Sequence, residues 1–177
     1  QAVGLTGVET VALPTPDGEV LVLWFSPAQG DRPTILFLHG NGGEVADRAE
    51  RFAFYQSQGY GVAFLSYRGY GGSTGAPSET GLLTDAKAAY DHLRSLGIPA
   101  NQIVLVGESL GTGPAVITAA ANPVGAVILE APYSAAVDIA RWMAQALAGL
   151  AYAHDGGFAH HDVQPFLLTL ADNGTLR

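Results

Sequence analysis

Gly107-Glu108-Ser109-Leu110-Gly111 stands between an apolar run, Gln102 to Gly107, and a stretch of small residues, Leu110 to Ala121. The first reads as a buried strand and the second as a helix, so the pentapeptide has to turn the chain sharply from one into the other. Glycine at both ends suits such a corner, because a side chain two residues either side of the serine would meet the neighbouring strand or helix. Working upstream, Thr34 to Leu38 is another strand-length apolar run, and it empties into the loop His39-Gly40-Asn41-Gly42-Gly43. Glu44 to Gln58 then spaces Val45, Phe52 and Tyr55 as a helix does, with Gly59 placed as its left-handed cap. Gly61 to Ser66 is a further strand. After a glycine-rich stretch, Arg68 to Ser78, the residues Leu82, Leu83, Ala86, Tyr90, Leu93 and Leu96 trace one helix face that starts from Ser78 as N-cap and stops at Gly97 and Pro99. Downstream of the corner, Val124 to Glu130 is rich in β-branched residues and reads as a strand.

Four strands alternating with three helices predict an α/β fold with a mostly parallel sheet and helices on both faces. Two earlier strand patterns, Val8 to Leu13 and Glu19 to Phe25, flank the turn signal Pro16-Asp17-Gly18 and predict an N-terminal antiparallel hairpin. Of the 177 residues 48% are hydrophobic and 14% charged, which describes one globular domain rather than a disordered chain. A net charge of -8 argues against nucleic acid as a partner. With no cysteine, disulfides, thiolate metal sites and a cysteine nucleophile are excluded, and the compartment stays open. No apolar run reaches the ~18 residues of a spanning helix, so the chain is expected to be soluble, with the cytoplasm as default.

Chemistry concentrates at Ser109. A strand-to-helix corner lifts its hydroxyl above the carboxyl end of the sheet, where open α/β folds hold their ligands, and the following helix favours developing negative charge. A nucleophilic serine also needs main-chain donors for the oxyanion. The N–H of Leu110 is one, and the N–H of Asn41, in the glycine-rich loop after the preceding sheet strand, is the other. The same five-letter pattern recurs in Gly71-Gly72-Ser73-Thr74-Gly75, but a polar stretch precedes it and Pro77 and Ser78 follow, so Ser73 is read as loop.

The blocks Leu36-Phe37-Leu38-His39-Gly40-Asn41-Gly42-Gly43, Tyr67-Arg68-Gly69-Tyr70-Gly71-Gly72-Ser73, Gly107-Glu108-Ser109-Leu110-Gly111-Thr112-Gly113 and Leu129-Glu130-Ala131-Pro132-Tyr133 follow one another in order. Over roughly residues 5 to 140 this resembles the α/β-hydrolases, and within them the small capless serine hydrolases with acyl-protein thioesterase-like and peptidase-like members. The resemblance implies cleavage of an acyl ester or thioester, or an amide, through an acyl-enzyme on Ser109, with Asn41 and Leu110 as oxyanion donors, a small acyl substrate and no cofactor. Ser66 departs from the family, which usually places an acidic residue there, and this leaves the charge partner of Arg68 to be found. Glu108 is the expected partner.

In this fold the triad acid and histidine follow the serine along the chain. Beyond Glu130 little length remains for more strand-helix units, so the C-terminal strands are expected to be missing. Residues 1–142 read as a partial core and 143–177 as a divergent, poorly ordered tail. Phe166 to Leu170 is its one strand pattern. Asp172 and Glu130 are the acid candidates, and His154, His160 and His161 the base candidates. His39 precedes the serine and His92 lies off the apolar stripe of its helix, so both read as structural or solvated. His154-Asp155 and His160-His161-Asp162 match no established metal-ligand spacing, so no metal site is expected. The alternative is a catalytically incomplete homologue acting as a binding module, with an open sheet edge through which copies self-associate.

Overall fold

Thr34–Leu38 is buried at all five positions, which is what a strand covered on both faces requires, and it forms β3 near the centre of a six-stranded sheet. The computed structural model describes residues 5–132. The strands are β1 (Glu9–Pro14), β2 (Val20–Ser26), β3, β4 (Gly61–Ser66), β5 (Ile103–Glu108) and β6 (Ala126–Glu130), in the spatial order β1-β2-β4-β3-β5-β6. β1 and β2 form the antiparallel hairpin and β2 joins β4 antiparallel, while β3, β4, β5 and β6 run parallel. The helices are α1 (Ala49–Ser57), α2 (Glu79–Ser95) and α3 (Thr112–Ala121).

Alternation along each strand sorts the core into two layers. Leu36, Leu38, Ala63, Leu65, Ile103 and Leu105 point to the side where Leu82, Ala86, Ala89 and Leu93 of α2 and Ala115 of α3 pack. Ile35, Phe37, Val62, Phe64 and Val106 point the other way, against Phe52 of α1, Val45 and Trp24. The second layer is aromatic: Phe37 stacks on Phe64 with centroids 4.5 Å apart, and Phe52 meets Phe64 edge-on at 5.1 Å. Burying a side chain of this size contributes roughly 1.5–3 kcal/mol over leaving it in water.

Helix starts depart slightly from the sequence reading. Ser78 caps α2 as expected, its Oγ accepting from Gly81 N–H at 3.1 Å. The helix expected from Glu44 opens instead as a 3-10 turn, Val45–Arg48, because Asp47 bonds back to Glu44 N–H at 2.7 Å and tightens it. The helix expected from Leu110 likewise starts at Thr112, after a 3-10 turn over Ser109–Gly111. Leu96 lies beyond the last residue of α2 and is exposed. At the far edge of the sheet Val127, Ile128 and Leu129 of β6 are exposed. The expected boundary between residues 142 and 143, and the strand pattern Phe166 to Leu170, lie outside the described residues.

Candidate active site

Ser109 adopts φ 47°, the left-handed region that a side chain enters only at a cost of about 1–3 kcal/mol. The glycines around it make the corner fit. A Cβ on Gly107 would stand 2.6 Å from the Gly111 carbonyl oxygen and 2.8 Å from Thr112 Cα, inside the start of α3. A Cβ on Gly111 would stand 2.6 Å from the Leu38 carbonyl carbon and 2.9 Å from the His39 carbonyl oxygen, at the end of β3. Thr112 closes the turn by donating from Oγ1 to the Ser109 carbonyl at 2.6 Å. Ser109 and Leu110 are both half-buried, so the corner opens to solvent at the carboxyl end of the parallel strands.

Register brings the loop of the other predicted donor alongside. Leu38 is the partner of Gly107, so the loop leaving β3 runs past the corner, and a Cβ on Gly40 would lie 3.2 Å from Cβ of Ser109. Side chains hold this loop. His39 is wholly buried between Tyr67 and Tyr70, and its Nδ1 lies 2.7 Å from the Gly40 carbonyl while Tyr67 N–H donates to Nε2 at 3.4 Å. That pair of contacts assigns a neutral ring with its proton on Nδ1, and burial pushes the imidazole below its ordinary range. His39 is therefore structural, as its place in the sequence suggests. Asn41 is exposed, its side-chain oxygen accepts from the Tyr70 hydroxyl at 2.6 Å, and among the described residues no hydrogen bond engages its main-chain N–H.

Glu108 does not pair with Arg68. Adjacent residues at a strand end point to opposite faces, and Glu108 shares the face of Val106, over α1, where the Arg48 guanidinium grips it. The hydrogen bonds from Arg48 hold its carboxyl below the usual carboxylate range. Arg68 finds its partners in Asp85 of α2, at 2.7 Å and wholly buried, and in Asp17 of the hairpin turn, also at 2.7 Å. Asp85 thus does the work expected of an acid at position 66. Arg48, Tyr70 and Asp85 are the residues that sequence reading missed. Their contacts lie 60, 29 and 17 positions away along the chain, so no local spacing announces them.

Of the triad candidates, Glu130 ends β6 as the register partner of Glu108 and is bound at 2.6 Å by Arg51. Asp172, His154, His160 and His161 lie outside the described residues. Ser73 sits in a turn with its hydroxyl bonded both ways, accepting from Val22 N–H and donating to the Ser66 carbonyl, both at 2.8 Å. Among the described residues no group of His, Cys, Asp or Glu is arranged to hold a metal ion, and no helix is long and apolar enough to cross a membrane.

Residues 29–156 match the family model described as serine aminopeptidase, S33. The chain is 39% identical over 138 residues to the α/β-hydrolase domain-containing protein WAV2 of Arabidopsis thaliana, covering 75% of this chain and 45% of that one. It is 38% identical over 120 residues to the lysophosphatidylserine lipase ABHD12 of Gallus gallus, covering 63% of this chain and 31% of that one. Among solved structures, an α/β-hydrolase from Vibrio vulnificus superposes with a TM-score of 0.60 at 32% identity, covering 69% of this chain and 43% of that one. The chain spans less than half the length of each of these relatives.

Proposed function

The chain belongs to the serine aminopeptidase S33 family of α/β-hydrolases, and from that premise we propose that it cleaves a carboxylic ester or thioester through an acyl-enzyme on Ser109. The observation that carries this reading is the strained backbone of Ser109, a serine held at φ 47° on a corner that two glycines make possible. Such strain is retained where a function needs the side chain presented in one direction. A lipase among the relatives supports an ester as the bond broken.

In this reading the Ser109 hydroxyl oxygen attacks the acyl carbonyl carbon while a histidine takes its proton. The carbonyl oxygen gains the negative charge, and the main-chain amides of Leu110 and Asn41 donate to it, each contributing roughly 2.7–4 kcal/mol to the barrier reduction. The tetrahedral adduct collapses, the alcohol or thiol leaves with the proton from the histidine, and water then releases the acid by the same route in reverse. Both nitrogens of His39 are engaged, which removes it as the base, and the candidates His154, His160 and His161 lie outside the described residues. Of the acid candidates, Glu130 is held by Arg51, and Asp172 lies outside the described residues.

A fluorophosphonate probe, read by intact mass, tests this directly. The folded chain gains one phosphonyl group, Ser109→Ala gains none, and Ser73→Ala still reacts. Hydrolysis of an activated ester falls more than about 10³-fold in Ser109→Ala. A folded wild-type chain that takes no label, under conditions that modify a control serine hydrolase, rejects the acyl-enzyme and favours a binding module.

A further inference from the structure

The loop that carries Asn41 has the composition of a segment with no fixed shape, and glycine backbone is the most costly to order. Yet one side chain spans it and the corner together. Arg48 donates from Nε to Glu108 Oε2 at 3.0 Å and from Nη2 to Glu108 Oε1, a two-pronged bond to the residue that precedes the nucleophile. The same guanidinium donates to the Gly42 carbonyl and to the Glu44 carbonyl, both at 3.1 Å. The loop in turn lies against Glu108, since a Cβ on Gly40 would meet Glu108 Oε1 at 3.2 Å and its carbonyl oxygen at 3.3 Å. Arg48 is 14% and Glu108 25% exposed, so the bracket is largely withdrawn from solvent and is not a loose surface pair.

We propose that Arg48 and Glu108 are positioning residues that lock the loop of Asn41 to the strand-helix corner, fixing the separation of the two main-chain amides that receive the oxyanion. Neither side chain touches the reacting atoms. Glu108 spends its carboxylate on Arg48, and Arg48 reaches the loop through the carbonyls of Gly42 and Glu44, so neither side chain is bonded to Ser109. A planar, five-donor guanidinium suits the task, because it reaches a carboxylate and two carbonyls at once where an ammonium is a point charge. The proposal rests on the acyl-enzyme reading for its consequence in rate, and on the contacts alone for its consequence in loop order.

The test separates those two. Phosphonylation by a fluorophosphonate probe is followed at several probe concentrations to give the binding constant and the limiting rate, and amide hydrogen exchange is followed in peptides covering residues 40–44, 108–111 and, as control, 79–95. Arg48→Gln and Glu108→Gln each lower the limiting rate about 10- to 10²-fold, the scale of a misplacement near 1 Å, and leave probe binding within about twofold. The double variant is no slower than the worse single one, because both remove the same bracket. Arg48→Lys recovers part of the loss. Exchange rises in residues 40–44 and 108–111 and not in 79–95. If Arg48→Gln does not fold, Glu108→Gln, which keeps shape and one acceptor, carries the test. Unchanged exchange in the loop, or losses confined to probe binding, overturns the proposal. A wild-type chain that takes no label, with exchange still raised in the variants, removes the acyl-enzyme reading and leaves the bracket standing.

Discussion

Two five-residue stretches of this chain share the pattern glycine, any residue, serine, any residue, glycine, and they do opposite things with the serine. At Gly107–Gly111 the strand turns at once into a helix, Ser109 is forced to φ 47°, and among the described residues no hydrogen bond engages its hydroxyl. At Gly71–Gly75 the glycines take positive φ, and Ser73 and Thr74 lie beside β2, Thr74 N–H donating to the Val20 carbonyl at 2.9 Å. There Ser73 Oγ joins Val22 N–H to the Ser66 carbonyl, and Thr74 Oγ1 accepts from Val20 N–H at 2.8 Å. One serine is strained and unbonded among the described residues, the other relaxed and bonded on both sides. The difference lies in what the flanking chain obliges each pentapeptide to do.

The largest separation is expected from the terminal glycines. In Gly111→Ala the new methyl group drives into the Leu38 carbonyl, main chain on both sides with nowhere to go, so the cost is about 3 kcal/mol or more and the sheet no longer closes on α3. In Gly75→Ala the methyl group meets only the Glu19 carboxylate, which swings aside, and what remains is the strain of φ 80°, roughly 1–2 kcal/mol. Urea midpoints of the two variants measure this. Equal losses would show that the steric argument for the corner is mistaken.

The serines themselves come next. Ser73→Ala leaves Val22 N–H and the Ser66 carbonyl without their shared partner and costs about 1–3 kcal/mol, with probe labelling retained. Ser109→Gly does the reverse, since glycine adopts positive φ freely: it stabilises by about 1 kcal/mol while labelling disappears. A stability gain coupled to loss of reaction at 109, and a stability loss with reaction kept at 73, is the signature of strain held for use. Should Ser109→Gly destabilise, the φ of this residue is no reservoir of strain.

The sequence supports this contrast because both its terms are local. Whether strand residues precede the serine and helix residues follow it is legible within fifteen positions, and the same local logic places the hairpin, the parallel strands and the cap at Ser78. Charge pairing across the sheet is not legible. A carboxylate next to the serine but aimed away from its hydroxyl reads as a partner for Arg68, whereas the sheet order puts Glu108 over α1 and Arg68 beneath α2, on opposite faces. Which face a residue reaches depends on the register of the whole sheet, and the partners then come from helices tens of residues away. Arg48 has nothing in its own neighbourhood to mark it, since its role exists only once β3 and β5 are adjacent.

The smallest effect separates the two regions along the pH axis. On the corner's side His39 is neutral and buried, with Nε2 turned to an N–H donor, so the folded state binds a proton less readily than the unfolded chain, whose imidazole titrates near 6.5. Its contribution is complete above that value and is lost as pH falls through it toward the lower folded pKa, because there the unfolded state binds more protons. On the other side, Arg68 moors the segment leading into Gly71, and it holds Asp17 at about 2 against an unperturbed 3.8. That contribution is complete above about 4 and is lost between there and about 2. Urea midpoints taken from pH 7.5 downward therefore begin to fall in the imidazole range, and again in the carboxylate range. In His39→Gln the first decline flattens and the second stays. In Asp17→Asn the first stays and the second shrinks to the part that Glu108 carries. A His39→Gln profile parallel to wild type between pH 7.5 and 5.5 would mean that this ring charges without cost inside the fold, and the neutral, bridging role given to it at the foot of the Asn41 loop would have to be abandoned.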